Sequence, residues 1–137
     1  MSSERITQLR SVPLFAELDD AALAEVAACA SEVDFREGML LMERGQPGSG
    51  LFVILDGVAK VELRNNMVPV GPGQVVGELG LLTDSGERSA RVSAASDMRC
   101  LAISRADFAR LLDEQPRLAV PMLRAVAERL RRMVDDA

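Results

Sequence analysis

The spacing of hydrophobic positions changes twice along this chain of 137 residues. Residues 4–15 carry apolar side chains at near-helical spacing, and Asp19 then precedes a second helical stretch with Leu23 and Val26 on its apolar face. An aspartate in this place caps a helix, because its carboxylate accepts hydrogen bonds from the free N–H groups of the first turn. We therefore expect two short helices within residues 1–30.

From Ser31 onwards the pattern becomes one of short apolar runs separated by turn signals such as Asp56-Gly57, Asn65-Asn66 and Pro72-Gly73. Many short strands at such spacing are typical of a sandwich or a barrel. The sequence therefore predicts a β-barrel over residues 31–103. Its strands are expected at residues 39–42, 51–55, 58–63, 67–70, 92–95 and 98–103.

Helical spacing returns after the last predicted strand. Ser104 can cap a helix, with Asp107 three residues later and with Phe108 and Leu111 on the inner face. The resulting expectation is a mainly β fold with helices on both sides of the barrel, the C-terminal helices occupying residues 104–137.

Two prolines, Pro116 and Pro121, lie near the start of the final helix. Because Pro121 lacks the N–H group that a helix interior uses, we expect a bend or hinge there. Beyond the hinge, apolar residues recur at spacings of three and four, as in a helix that packs on something. They are Leu123, Val126, Leu130 and Met133. This stripe would cover a pocket, pair with a second chain through residues 117–134, or do both.

Composition narrows the class of protein. An apolar content of 48% is enough for one well-packed domain, which we expect to span residues 1–137 without an internal boundary. The chain contains no histidine, the commonest general base and the commonest transition-metal ligand. The sequence therefore predicts a binding module without a metal or cofactor, not an enzyme.

The two cysteines, Cys29 and Cys100, lie far apart in the sequence and within apolar surroundings. Buried free thiols are favoured over a disulfide or redox pair. The N-terminus is polar, and no apolar run has the length of a membrane span, so we expect a cytoplasmic protein without a membrane segment.

The net charge of −5 argues against nucleic acid as a partner. Residues 117–137 are locally basic, which is typical of the solvated face of an amphipathic helix and less so of a patch for an anionic partner. No second helix follows to complete a helix-turn-helix, so the sequence offers no element for reading DNA.

The candidate chemistry lies in a glycine-punctuated segment. Glu78 is followed ten residues later by Arg88, which carries a planar fork of donors suited to two phosphate oxygens. A carboxylate beside a phosphate is repelled unless a hydroxyl donor lies between them, and a ribose hydroxyl meets that need. Gly77 and Gly80 allow close backbone approach. The pattern indicates a pocket for a small anionic ligand that also bears hydroxyl groups.

This segment resembles the phosphate-binding cassette of the cyclic nucleotide-binding domain. The resemblance rests on G-E-L-G at residues 77–80, a seven-residue spacer, and R-S-A-x-V ending at Val92. It extends over essentially the whole chain, because several glycines stand where the jelly-roll barrel of that family turns its corners. The nearest likeness is to the ligand-binding half of catabolite-activator-type bacterial regulators. The glycines are Gly38, Gly45, Gly57 and Gly73.

The resemblance implies a role for each residue of the cassette, residues 77–90. Glu78 would accept from the ribose 2′-hydroxyl, and Arg88 would bind the cyclic phosphate. Ser89 would add a hydroxyl near the phosphate and base, and Ala90 a backbone N–H group. Gly77, Leu79 and Gly80 would complete the pocket.

Recognition of the base is less determined. Val61, Val76 and Leu79 would form apolar walls beside it or serve equally as core residues. The final helix has Met133 or Val134 where catabolite-activator-type domains carry a hydroxyl residue that bonds adenine. The base contact is therefore expected from Arg131 or Arg132, as from an arginine in some channel members, unless these side chains remain in solvent.

Two functions follow. The first is a sensor for a cyclic nucleotide, cAMP ahead of cGMP, which relays occupancy through its final helix to an effector domain or protein. The second is a ligand-free scaffold of the same fold that dimerises through residues 117–134. The presence of Glu78, Arg88 and Ser89 together favours the sensor.

Overall fold

The computed structural model describes residues 2–43, 50–62, 65–77 and 91–136. Within these ranges four α-helices flank eight β-strands. The helices are α1 (Ser2–Arg10), α2 (Asp20–Cys29), α3 (Arg105–Glu114) and α4 (Ala119–Asp136). The strands are β1 (Ser31–Phe35), β2 (Leu40–Met42), β3 (Gly50–Asp56), β4 (Ala59–Glu62), β5 (Met67–Val70), β6 (Val75–Val76), β7 (Arg91–Ala94) and β8 (Met98–Ser104). Two short 3₁₀ turns lie at Pro13–Phe15 and Pro116–Leu118.

The predicted helix starts are confirmed at two caps. The Asp19 carboxylate accepts a hydrogen bond from the Ala22 N–H at 2.9 Å and so opens α2. The Ser104 hydroxyl accepts from the Asp107 N–H at 3.1 Å and opens α3. Each side chain satisfies an N–H group that has no partner within the first helical turn.

The described strands form two antiparallel four-stranded sheets. The first has the order β1-β8-β3-β6, and the second has the order β2-β7-β4-β5. Of the consecutive strands described, only β4 and β5 belong to the same sheet, so the chain alternates between the sheets along most of its length. This is a mainly β architecture of two facing sheets with flanking helices, as the sequence predicts.

The first sheet is buried on both faces, so β3 and β8 serve two cores. In β3, Leu51 and Val53 pack among the helices, whereas the neighbouring Ile54 packs between the two sheets. Successive side chains of a strand point to opposite faces, so consecutive residues are apolar wherever a strand is covered on both sides. We call these two regions the helical core and the barrel core.

Two strands, β1 and β6, are missing from the prediction. β1 lies at the edge of the first sheet and pairs with β8 alone, from Ser31–Ala102 to Phe35–Met98. Its polar residues Ser31, Glu32 and Asp34 are exposed, so it lacks the apolar run by which the other strands are found. β6 has only two residues, paired with β3, and is too short for a periodic signal.

The final helix packs on the N-terminal helical elements. Leu118 and Met122 are buried in the helical core, and Val126 packs against it. This four-residue spacing defines the inner face of α4. Leu123, which the sequence places in the packing stripe with Val126, is instead 68% exposed within this chain. The side chains of Leu130 and Met133 lie outside the described part of the structure.

Candidate functional site

The barrel core contains two of the predicted site residues. Val61 of β4 lies opposite Val92 of β7, and Val76 of β6 lies opposite Phe52 of β3. Both valines are almost completely buried, with 3% and 0% exposure. They are therefore packing residues of the barrel core.

The cassette is attached at both ends to this core. Val76 belongs to the first sheet, and it is followed by Gly77, whose φ of 97° lies in the left-handed region that favours glycine. The chain re-enters the second sheet at Arg91, directly before the buried Val92. The segment between them thus joins a strand of the first sheet to a strand of the second in chain order. The remaining cassette predictions, Glu78, Leu79, Gly80, Arg88, Ser89 and Ala90, fall outside the described residues.

The barrel core is lined by apolar and aromatic groups. The rings of Phe35 and Phe52 meet edge to face with centroids 5.5 Å apart. Burial, with a smaller contribution from Asp34, raises the pKa of the Cys100 thiol to about 11, so the thiol is neutral at physiological pH. The space between the two sheets is therefore apolar, and its cysteine carries no charge.

Both cysteines are free thiols, as predicted, but only Cys100 is fully buried. Cys29 is half-buried at the end of α2, where its thiol approaches the Val26 carbonyl oxygen at 3.4 Å. Burial, followed by the charge of Asp107, raises the pKa of Cys29. The expectation of two buried thiols is therefore wrong for Cys29, because the C-terminal end of α2 is only partly covered.

The predicted base-contacting arginines lie on α4. Arg131 is exposed and donates a hydrogen bond to Glu128, three residues earlier on the same helix, at 2.7 Å. Arg132 belongs to the helical backbone, but its side chain is outside the described part. The described contacts of α4 are with the helical core, so they do not bring Arg131 to the barrel core.

The sequence pattern does not identify several residues of the barrel core. Phe35 and Phe52 belong to strands that cross the core, and Met98 and Cys100 alternate with outward-facing or helix-facing neighbours along β8. The alternation of residues along β8 does not show which of them face the barrel core, because Leu101 and Ile103, which face the helical core, are equally apolar.

Within the described ranges, no three His, Cys, Asp or Glu side chains come together as a metal site requires. None of the helices in the same ranges combines the length and apolar composition of a membrane span.

Comparison with known proteins agrees with the arrangement of the strands. Residues 32–115 match the family model of the cyclic nucleotide-binding domain. The chain is 35% identical over 120 residues to a cyclic nucleotide-gated potassium channel of Mesorhizobium japonicum, covering 87% of this chain and 33% of the channel. It is 27% identical over 125 residues to a CRP-like cAMP-activated global transcriptional regulator of Mycobacterium tuberculosis, covering 87% and 55% respectively.

Among solved structures, the chain is similar to the N-terminal domain of a transcriptional regulator from Streptomyces coelicolor. The TM-score is 0.70 at 40% sequence identity, and the match covers 93% of each chain. The two curated relatives are longer, since the chain spans only a third to about half of their lengths. The family match nevertheless runs from β1 to the end of α3, which is more than half of the sequence. The chain belongs to the cyclic nucleotide-binding domain family.

Proposed function

We propose that this chain binds a cyclic nucleotide, cAMP ahead of cGMP, as a regulatory module. The observation that carries the proposal is the attachment of the cassette. Its sequence joins buried Val76 of the first sheet to Val92 of the second, so a ligand held by residues 77–90 would lie against the apolar barrel core. The family match and the cAMP-activated regulator among the relatives support the same ligand class.

Each end of the ligand has a matching group in the cassette. Arg88 would bind two oxygens of the cyclic phosphate, and Glu78 would accept a hydrogen bond from the ribose 2′-hydroxyl. Ser89 and the backbone N–H groups of Ala90 and the glycines would complete the phosphate cradle.

The base would rest on the apolar side of the site. Val61 and Val76 are in place in the barrel core, and Leu79 would join them. Arg131 or Arg132 would supply the polar contact, for which Arg131 must leave its bond with Glu128. If it does so, Arg131→Ala should change the ratio of the affinities for cAMP and cGMP more than their mean.

The signal would leave the site through the C-terminal helices. α3 ends at Glu114, and the 3₁₀ turn Pro116–Leu118 precedes α4, so the helical path is interrupted at Pro116 and not at Pro121, which lies in the first turn of α4, where its missing N–H is not needed. Leu118, at the end of that turn, is buried in the helical core together with side chains of β3 and β8. These strands also form the barrel core, so they offer a packed route between ligand and helix.

The test is titration calorimetry of the purified chain with cAMP and, separately, with cGMP. We expect Arg88→Ala to weaken binding by two or more orders of magnitude, or about 3 kcal/mol, because it removes the charge partner of the phosphate. Glu78→Gln should weaken binding less, since an amide oxygen still accepts a hydrogen bond. Arg110→Ala is the matched control, because Arg110 is an exposed, ion-paired arginine on α3.

The outcomes separate site from fold. An unchanged affinity in Arg88→Ala would contradict the phosphate assignment, and loss of folding in Glu78→Gln would make Glu78 structural. Absence of binding by the folded wild-type chain to either nucleotide would leave the scaffold function.

One observation favours that second function. Val120 and Leu123 lie three residues apart on α4 and are 51% and 68% exposed, so the helix presents apolar groups that this chain does not cover. A second copy of the chain would bury them through residues 117–134. Leu123→Glu should then shift sedimentation toward the monomer, whereas Met39→Glu, which alters an exposed methionine near β2, should not. Equal sedimentation of all three proteins would argue against dimerisation by this helix.

A further inference from the structure

Arg91, the first residue of β7, connects three strands of the second sheet. Its Nε atom lies 3.6 Å from a carboxylate oxygen of Glu43 and 3.5 Å from one of Glu62. β7 runs between β2 and β4, and Arg91 is directly opposite Glu62 in the strand register. The guanidinium therefore pairs with Glu62 of β4 on one side and, on the other, with Glu43, the residue directly after β2.

The side chain points away from the barrel core. Val92 is buried in that core, and adjacent residues of a strand face opposite sides of the sheet. The Arg91 side chain is accordingly 52% exposed on the outer face. It is not placed to contact a ligand held against the barrel core.

The position of Arg91 along β7 links it to the cassette. Arg91 follows Ala90 directly and lies three residues after Arg88. The C-terminal end of the cassette extends from the first residue of β7. The position and order of Arg91 therefore determine where that end of the cassette starts. Because Arg88 must meet the phosphate with a defined geometry, a small loss of order at this anchor should reach the ligand contact.

Arg99 of β8 provides a comparison within the same molecule. Its Nε atom lies 3.6 Å from Glu32 and 3.2 Å from Asp34, both on β1, and its side chain is 58% exposed. Arg91 and Arg99 are thus alike in exposure and in having two carboxylate partners. They differ in place, because Arg91 follows the cassette directly in the second sheet, whereas Arg99 lies in the first sheet after the turn between β7 and β8.

We propose that Arg91 is a positioning residue for nucleotide binding, acting through Glu43 and Glu62 and not through contact with the ligand. The inference rests on the proposed binding function of residues 77–90. Exposed ion pairs contribute little to global stability, so loss of this cluster leaves the fold intact. Its effect appears instead in the affinity of the anchored segment for its ligand.

The experiment compares Arg91→Met with Arg99→Met in the full chain. By calorimetry we expect Arg91→Met to weaken cAMP binding about fivefold, whereas Arg99→Met stays within about twofold of wild type. Melting temperatures of the two variants should fall by similar small amounts. The loss in Arg91→Met should lie mainly in faster dissociation, measured by stopped flow, because a loosened anchor releases a bound ligand.

Two further variants test the ion pairs themselves. Arg91→Lys retains the charge and should recover part of the affinity. In a double-mutant cycle, Glu62→Gln should weaken binding less beside Arg91→Met than in the wild-type background, since the ion pair with Arg91 is then already lost. Additive effects would show that Arg91 acts independently of Glu62.

The outcomes distinguish this inference from the function on which it depends. Wild-type affinity in Arg91→Met, or an equal loss in Arg99→Met, overturns the positioning role while binding by the wild-type chain still supports the proposed function. Absence of cAMP and cGMP binding by the wild-type chain overturns both.

Discussion

The two sheets each contain four antiparallel strands but differ in what covers them. The first sheet separates the barrel core from the helical core, so β3 and β8 are packed on both faces. Among the described residues the second sheet packs inward, and its outer face carries charged residues such as Lys60, Glu62 and Arg91. The first sheet therefore contributes most of the packing, whereas the second can hold charged groups beside the proposed site.

The largest expected difference between the sheets concerns stability. Leu101 of β8 is fully buried in the helical core, so Leu101→Ala should lower the free energy of unfolding by about 2–5 kcal/mol through lost burial and a cavity. Lys60→Ala, on the outer face of β4, should change it by less than about 0.5 kcal/mol. Urea unfolding followed by circular dichroism measures both. Similar losses of unfolding free energy in the two variants would contradict the difference in packing between the two sheets.

This difference explains what the sequence could predict. The apolar runs of β3 and β8 and the alternating pattern of β4 identify strands, because each follows directly from how many faces are buried. β1 was missed for the same reason, since its edge position leaves its polar residues exposed. Which core each residue of β3 faces depends on helices far away in the sequence, and no local pattern contains that information.

The candidate site likewise has one part that the sequence predicts and another that depends on tertiary structure. The cassette was identified from residue types at fixed spacing, and its two attachments, Val76 and Arg91, are in the described structure. The partners of Arg91 could not be predicted, because its distances to Glu43 and Glu62 depend on how the strands pair, which the sequence does not specify. A motif reports the groups that touch a ligand, whereas the groups that hold the motif in place depend on tertiary structure.

The corners between the sheets give the next prediction. Gly57, between β3 and β4, has φ of 87°, and a Cβ atom there would clash with the carbonyl oxygen of Asp97. Gly57→Ala should therefore cost about 2–4 kcal/mol, from left-handed backbone strain together with overpacking. Gly38, between β1 and β2, has φ of 89°, but a Cβ atom there would meet open space, so Gly38→Ala should cost only the strain of about 1–2 kcal/mol.

Both corner variants are measured by chemical unfolding under the same conditions. The difference between them isolates the clash, because the backbone angles are nearly equal. An equal loss of unfolding free energy in Gly38→Ala and Gly57→Ala would contradict a clash between a Cβ atom at Gly57 and the β7–β8 turn.

A smaller effect should distinguish the two faces of the first sheet. Ile54 and Ile103 are both completely buried, but Ile54 faces the barrel core and Ile103 the helical core. Replacing either by valine removes one methylene group and should cost about 0.5–1.5 kcal/mol. Only Ile54→Val should also alter cAMP affinity, because its side chain belongs to the core against which the ligand is proposed to lie. Calorimetry showing equal changes in affinity would contradict a ligand on the barrel side.

The two thiols offer the least disruptive test of the same division, since labelling a native protein requires no substitution. Cys100 is fully buried in the barrel core with a pKa of about 11, so its thiolate fraction at pH 8 is on the order of 10⁻³, and its sulfur is shielded from reagents. Cys29 is half-buried at the end of α2, so it should react first with a disulfide reagent, through local opening of the helix end. Cys100 should react only after the whole chain unfolds. Single variants Cys29→Ala and Cys100→Ala assign the two phases. Equal labelling rates in the native chain would mean that the barrel core opens as readily as the helix end, and the barrel would then be a poor wall for a bound base.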